Sequence, residues 1–582
     1  MRNSFKAACG RFVSLITHIG AIPLCFLGIF GYALWFHWMY CGAPETAQLV
    51  FDLGWSLLLT AVAAVLPRRA RRIFLIALAA LLFVLTLVHG VFFNMFRRFF
   101  SFSDLFFAGD GAAFFDSSYI VVRKLAVLLG LACSALLAAA APLPGAARPK
   151  AAAVSGLLAL ALLGYGSYTF LRGNDIMIWD MADDPAVVYD SFTDSKAAVR
   201  LLGLYQYTFR DVQLAVAPGG SITDAERAEA DKFAAARGGH EANAMSGIFE
   251  GKNLLLVQLE AIDTWMLDYM PALSAVKEQS IVFDNHYSVA YITAGTFNTE
   301  FIVNTGLLPA SAGTPVSVYT RGAFPYSLPN LFRAEGYTAR SFHGSPADVY
   351  CRGEIHENLG YESYSSGADM GMEDYTMDSQ LICAFDEMTS PEPFFSFVIT
   401  YSGHGPYGED DPIYLAHAGE AREAAKMDEG NYVYAVAHAM ETDAYIAELV
   451  DALESSGRAD DTVVIFYADH YNYYMLNDAL NMIIKGVDNL NLLQHTDFFI
   501  YAPGVEPMTV EKYTSGIDIL PTIANLFGLD APYPLLTGDD AFSDGGGYVF
   551  FNDNTVIGDG GSTAEAIERR HISSIILDGY WE

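Results

Sequence analysis

Asp461-Thr-Val-Val-Ile-Phe-Tyr-Ala-Asp469-His470 carries an apolar strand that stops abruptly on a carboxylate and an imidazole. A second apolar run, Asn253-Leu-Leu-Leu-Val-Gln-Leu, breaks off in the same way into Glu260, and the strand-like stretch 337–342 runs into His343. A fourth run, 394–400, leads through Tyr401-Ser402-Gly403 to His404. In open α/β sheets, ligands bind in the crevice beyond the carboxyl ends of parallel strands. One such residue alone is more often a helix cap or a loop side chain. Four polar strand ends on four core strands predict one shared site, because a carboxylate at the edge of an apolar core is costly unless it is paired or metal-bound.

At 582 residues the chain is too long for one domain. Residues 1–172 hold 14 of the 33 Lys and Arg but only 5 of the 67 Asp and Glu, which leaves 19 basic against 62 acidic residues downstream, a net of −43. The first part reads as a membrane region and the second as a soluble, acidic one. Five apolar stretches, about 13–35, 47–66, 73–95, 122–142 and 151–171, reach the roughly 20 residues that a bilayer core requires. Arg2, Lys6 and Arg11, the cluster Arg68, Arg69, Arg71 and Arg72, and Arg148 with Lys150 mark the N-terminus and the second and fourth loops as cytoplasmic. Arg97, Arg98, Arg123 and Lys124 run against that assignment. Five crossings place the remainder of the chain outside the cell membrane. The four spans after the first favour a permanent anchor over a signal peptide.

Residues 173–245 read as a connector at the outer membrane surface, with a helical pattern near 196–205. Within it Ala215-Val216-Ala217 has the form of a processing site, but Pro218 follows directly and a plain linker is the better reading. From about Phe249 apolar strands alternate with helical segments such as 435–454, which implies βαβ units and a mostly parallel sheet flanked by helices over 246–582. Of six cysteines only Cys351 and Cys383 fall in this part, so at most one disulfide is available there. No basic patch lies outside the membrane region, which argues against nucleic-acid binding.

Asp, Glu and His without a thiolate suit Mn²⁺, Mg²⁺ or Zn²⁺. A nucleophile candidate stands in Ala294-Gly295-Thr296-Phe297-Asn298-Thr299-Glu300-Phe301, where a turn opens a helix. A Thr hydroxyl needs a metal or a base to act as a nucleophile, and at a helix N-terminus it meets N–H groups suited to an anion. Read by itself, Thr296 is a helix cap.

Leu259-Glu260-Ala261, Gly295-Thr296-Phe297-Asn298-Thr299-Glu300-Phe301, His343-Gly344 and Phe466-Tyr467-Ala468-Asp469-His470-Tyr471 together resemble the lipoteichoic acid synthases, membrane phosphoglycerol transferases of the sulfatase and alkaline-phosphatase superfamily. The resemblance extends to the five spans, the connector and the extracytoplasmic domain. It implies that Glu260, Thr296, Asp469 and His470 are metal ligands, with Thr296 the nucleophile and Mn²⁺ the usual ion. It also implies that His343, Tyr350, Arg352 and His404 hold a glycerol-phosphate headgroup, although Tyr350 stands where Trp is common and Cys351 where Asn is usual. The partners it implies are phosphatidylglycerol as donor, a glycolipid or polyglycerolphosphate chain end as acceptor, and the membrane itself.

Ser402-Gly403-His404-Gly405-Pro406-Tyr407 resembles the related phosphoethanolamine transferases, which share the metal and the Thr but differ in the headgroup pocket. A sulfatase proper needs a Cys or Ser in a C/S-x-P-x-R context, which neither Cys351-Arg352-Gly353 nor Thr296-Phe297-Asn298 supplies. A membrane-anchored binding protein is the non-enzyme alternative, and a degraded site would favour it. All four core positions are filled.

Overall fold

The computed structural model describes residues 20–96, 98–107, 123–142, 148–171, 185, 188–189, 195–216, 222–289, 291, 295–309, 318–320, 322–347, 349–428 and 430–582. They form two compact units, Met1–Leu105 with Phe115–Pro218, and Phe106–Phe114 with Gly219–Glu582.

In the first unit, four helices among the described residues are long and apolar enough to cross a membrane: Ala21–Tyr40, Thr46–Val65, Arg68–Asn94 and Pro149–Phe170. Four, not five, reach that length. The stretch expected to span at 122–142 is the helix Lys124–Ala140 of 17 residues. At about 1.5 Å per residue it is about 26 Å long, short of a core about 30 Å thick. It begins where Arg123 and Lys124 end the apolar run and packs against the first and third of the long helices. Residues 13–19 of the expected span at 13–35 lie outside the described residues, and the rest falls in the helix Ala21–Tyr40 and the Gly20 before it. The helix Ser195–Val216 belongs to this unit and packs against Ala21–Tyr40 and Thr46–Val65. There Tyr205 Oη donates to the Ile29 carbonyl at 2.5 Å, and Trp55 Nε1 donates to Gln206 Oε1 at 2.7 Å. Ala217 and Pro218 of the processing-site pattern lie outside the described residues.

The first nine strands of the second unit are β1 (Asn253–Leu259), β2 (Ile281–Phe283), β3 (His286–Tyr287), β4 (Thr338–His343), β5 (Ser363–Ser365), β6 (Phe394–Ile399), β7 (Thr462–Ala468), β8 (Phe498–Tyr501) and β9 (Met508–Val510). All of these but β3 join one eight-stranded sheet in the order β5-β4-β6-β1-β7-β8-β2-β9. Only β8 runs antiparallel to its neighbours. Every residue of β1 is buried, as expected of a central parallel strand covered on both faces. Successive side chains take opposite faces. Leu254 and Leu256 join Phe395, Phe397 and Ile465 under the helices Gly295–Thr305, Leu328–Ala334 and Ile519–Phe527. Leu255, Val257 and Leu259 join Val464 and Phe466 under the 27-residue helix Gly430–Ser456. Each such apolar side chain contributes about 1.5–3 kcal/mol on burial. The helix Asp224–Arg237, opened by a Thr223–Glu226 capping box, adds Ala230 and Phe233 to the first of these cores.

The four strands β4, β6, β1 and β7 are adjacent and parallel, so their carboxyl ends stand side by side. The register pairs Gln258 of β1 with both Ile399 and Tyr467 near those ends. Cys351 and Cys383 are not joined in a disulfide, so the one bridge allowed by the composition is not formed.

Candidate active site

The strand ends deliver the expected residues to one place. Glu260 follows β1, Asp469 and His470 follow β7, His343 is the last residue of β4, and Thr296 is the second residue of the helix Gly295–Thr305. Glu260 N–H donates to Thr400 Oγ1 at 2.8 Å, which ties the end of β1 to the end of β6. Asp469 Oδ1 accepts the N–H groups of Ala261 and His470, both at 2.8 Å, and this leaves Oδ2 for the site. His470 Nδ1 donates to the Tyr471 carbonyl at 2.9 Å, so the ring offers Nε2 to its two acidic neighbours. Thr296 Oγ1 donates to Glu260 Oε2 at 2.6 Å.

Glycine permits the closeness at two points. A Cβ on Gly295 would lie 2.5 Å from His470 Cδ2, and one on Gly403 would lie 1.8 Å from the Glu260 carbonyl oxygen. Backbone strain gathers here as well. Ala261 has φ 51°, Tyr350 φ 58° and Cys351 φ 52°. Residues that carry a side chain rarely adopt that region.

Glu260, Asp469 and His470 each offer one ligand atom, and these lie within 4.8 Å of one another. Glu260 Oε1, Asp469 Oδ2 and His470 Nε2 are buried and have no hydrogen-bond partner, with Nε2 at 3.4 Å from each of the two oxygens. Buried polar atoms are nearly always satisfied, so three orphans aimed at one point fit a divalent cation bound by two oxygens and an imidazole. Burial, and then the Glu260 charge, hold the Asp469 carboxyl well above the usual carboxylate range. The His470 imidazole is drawn up to about 9 by Asp469 and Glu260 although burial opposes it. Metal binding releases protons held in this way.

Thr296, His343, Tyr350, Arg352 and His404 line one cavity with Glu260, and Phe297, Tyr401, Tyr473 and Tyr474 wall it. His343 Nδ1 lies 2.8 Å from the Ile399 carbonyl. A carbonyl only accepts, so this nitrogen carries the proton and donates it. Burial, reinforced by the Arg352 charge, pushes the imidazole down to about 3. His343 is therefore neutral and turns an acceptor, Nε2, to its surroundings. Tyr350 stacks on Phe297 with ring centroids 5.1 Å apart, and the Arg352 guanidinium lies 5.6 Å from the Tyr350 ring centre. His404 is held between Tyr401 and Tyr474, with ring centroids at 5.4 and 4.8 Å, and burial lowers its pKa.

Sequence reasoning gave three further residues no role. Gln258, the one long polar side chain in β1, accepts from Tyr467 Oη at 2.7 Å and donates to the Thr296 carbonyl at 3.2 Å, fixing the helix start to the sheet. Its signal was a fully polar side chain inside an apolar strand. Glu300, one turn beyond Thr296, forms a buried ion pair with Arg352. Tyr473 stacks on His470 with ring centroids 4.3 Å apart.

Residues 252–529 match the sulfatase family model, and the class defined by this sheet and its strand-end site is that of the metal-dependent sulfatase and alkaline-phosphatase enzymes. The chain is 27% identical over 394 residues to lipoteichoic acid synthase 2 of Bacillus subtilis, covering 62% of this chain and 58% of that protein. It is 24% identical over 333 residues to the lipoteichoic acid synthase of Staphylococcus aureus strain USA300, covering 51% and 49%. Among solved structures, the lipoteichoic acid synthase LtaP from Listeria monocytogenes is similar at 22% identity with a TM-score of 0.46, over 60% of this chain and 96% of that one. Within that class, the curated relatives to which the chain is similar are lipoteichoic acid synthases. Its match spans a little over half the length of the first of these relatives and about half of the second.

Proposed function

We propose that the chain transfers glycerol phosphate from phosphatidylglycerol to a hydroxyl of a glycolipid or of a growing polyglycerolphosphate chain, through a covalent phosphoglyceryl intermediate on Thr296. The observation that carries this reading is the Thr296 hydroxyl, hydrogen-bonded to Glu260 beside three orphaned ligand atoms, in the lining of a cavity that also holds an arginine and two neutral-leaning imidazoles.

Glu260, Asp469 and His470, joined by Thr296 Oγ1, would hold Mn²⁺. When bound, the ion lowers the pKa of the hydroxyl and screens phosphate charge. Thr296 Oγ1 attacks the phosphorus, the bond to the diacylglycerol oxygen breaks, and that oxygen leaves as the alcohol with the proton given up by Thr296. An acceptor hydroxyl then attacks the same phosphorus and Thr296 recovers its proton. Arg352 offers planar N–H donors to the phosphate oxygens. His343 Nε2 accepts from a glycerol hydroxyl. The acceptor set equally suits Mg²⁺ or Zn²⁺; activity of the chelated protein restored by each ion in turn identifies the metal.

Headgroup choice follows from the lining. Glu260 is the one carboxylate among the cavity's described residues, and it faces the metal position, so no acidic side chain remains to meet an ammonium. That favours phosphoglycerol over phosphoethanolamine. Presented with phosphatidylglycerol and phosphatidylethanolamine in mixed micelles with Mn²⁺, the protein should release diacylglycerol faster from phosphatidylglycerol; the opposite order makes it a phosphoethanolamine transferase.

The catalytic unit is proposed to face outward, with the basic N-terminus and Arg68–Arg72 cluster inside. An odd number of crossings then requires Lys124–Ala140 to cross too, which its length of roughly 26 Å allows if the bilayer thins locally. Protease added to intact cells should cleave between the two units; complete protection would reverse the orientation.

A further inference from the structure

Glu300 is a buried carboxylate one helical turn after Thr296, and the transfer chemistry has no use for a third acid. Its Oε2 accepts from Arg352 Nε at 3.0 Å and its Oε1 from Arg352 Nη2 at 2.7 Å, while His356 Nε2 lies 3.3 Å from Oε2. The side chains of Arg352 and Glu300 are each only 3% exposed. Burial would raise the Glu300 pKa, but Arg352 and then His356 overcome it and hold the carboxyl at about 2. The pair is ionised at neutral pH.

A guanidinium has five N–H donors in one plane. The side-on grip of Glu300 takes one on Nε and one on Nη2, which leaves three N–H groups on Nη1 and Nη2. Tyr364 Oη donates to the Ser345 carbonyl at 2.7 Å and accepts one guanidinium N–H, which leaves two of the five donors and brings no carboxylate to compete with a phosphate. Arg352 lines the same cavity as Thr296. The helix that carries Thr296 also carries both supports of the guanidinium. Glu300 grips its edge, and Phe297 stacks on Tyr350, whose ring lies 5.6 Å from the Arg352 Cζ. Helix geometry puts residues i and i+4 on one face, and Thr296 and Glu300 have that spacing.

We propose that Glu300 is a positioning residue: it fixes the plane of the Arg352 guanidinium so that its remaining N–H donors address the phosphate that Thr296 attacks. This role presupposes the phosphodiester transfer proposed for Thr296. It also makes the pair electrically neutral, so those donors select phosphate by geometry more than by net charge.

The full chain in detergent micelles with Mn²⁺ and phosphatidylglycerol provides the test, with diacylglycerol release giving kcat and KM for wild type, Glu300→Gln, Glu300→Asp, Arg352→Ala, the double variant Glu300→Gln/Arg352→Ala, and Thr296→Ala. Glu300→Gln should lower kcat/KM by roughly tenfold or more, since it replaces an acceptor with an amide that faces the guanidinium. Its Mn²⁺-induced rise in thermal midpoint should match wild type, and Glu300→Asp should recover part of the activity. The double variant should be no worse than Arg352→Ala alone, because an arginine that is absent has no position to lose.

Wild-type kcat/KM in Glu300→Gln, or a double variant whose loss is the product of the two single losses, overturns the positioning role. If Glu300→Gln does not fold, the same comparison with Glu300→Asp decides. Wild-type activity in Arg352→Ala beside an inactive Thr296→Ala removes the Arg352–Glu300 device and leaves the transfer reading standing. An active Thr296→Ala removes that reading itself.

Discussion

His343 shows how burial sets chemistry at a single residue. Its Nδ1–H is committed to the Ile399 carbonyl and its pKa is pushed from 6.5 to about 3 by burial and then by Arg352. Between those two values the unfolded chain binds a proton that the native chain refuses. Stability therefore falls as the pH drops through that window, with a slope from this residue of up to about 1.4 kcal/mol per pH unit. Replacing it with Gln should flatten that slope, and urea unfolding of wild type and His343→Gln at pH 6.5 and pH 5 checks it; equal slopes would mean that the native imidazole accepts the proton. Arg352 and Glu300 make the complementary point. A sequence displays an arginine and a glutamate 52 positions apart, but only the fold reveals that one holds the other.

At the scale of elements, the site is made by four adjacent strand ends, and the joint between β1 and β6 is the Thr400 hydroxyl that accepts the Glu260 N–H. Thr400→Val keeps the shape and removes the acceptor, so a buried N–H loses its partner at a cost of about 1–3 kcal/mol. Chemical denaturation should register that loss, together with weaker Mn²⁺ binding as Glu260 shifts; an unchanged midpoint would show the joint to be dispensable.

Most of this level was legible beforehand. The runs ending at Glu260, His343, Asp469 and His470 are strongly apolar or strand-forming, and parallel packing leaves their ends no other place to go. The small strands β2, β5 and β9 have three residues each, too few for a period to show. Glu300 was hidden for a different reason. A charged residue in a helix reads as a solvated face until its partner, distant in sequence, is known to lie against it. The stretch 122–142 has the composition of a span, but Arg123, Lys124 and Pro142 bound it, and composition over a window counts those ends as if they were helix.

At the scale of the whole molecule, three orphaned ligand atoms on two loops, one after β1 and one after β7, mean that a cation links segments more than 200 residues apart in the chain. A ligand that binds only the native state stabilises it by about 2.7 kcal/mol at one hundred times its dissociation constant. Mn²⁺ should accordingly raise the thermal midpoint of wild type and leave Asp469→Asn unmoved; an equal shift in both would place the ion elsewhere. The central claim, that Thr296 carries the transferred group, is met most directly by incubating the full chain with Mn²⁺ and phosphatidylglycerol labelled in its head glycerol, quenching before acceptor is added, and locating the label by peptide mapping. The account predicts label on the peptide that holds Thr296, with diacylglycerol released alongside, loss of the label once an acceptor is supplied, and none in Thr296→Ala. Diacylglycerol release with no label on Thr296, or undiminished release by Thr296→Ala, would contradict it.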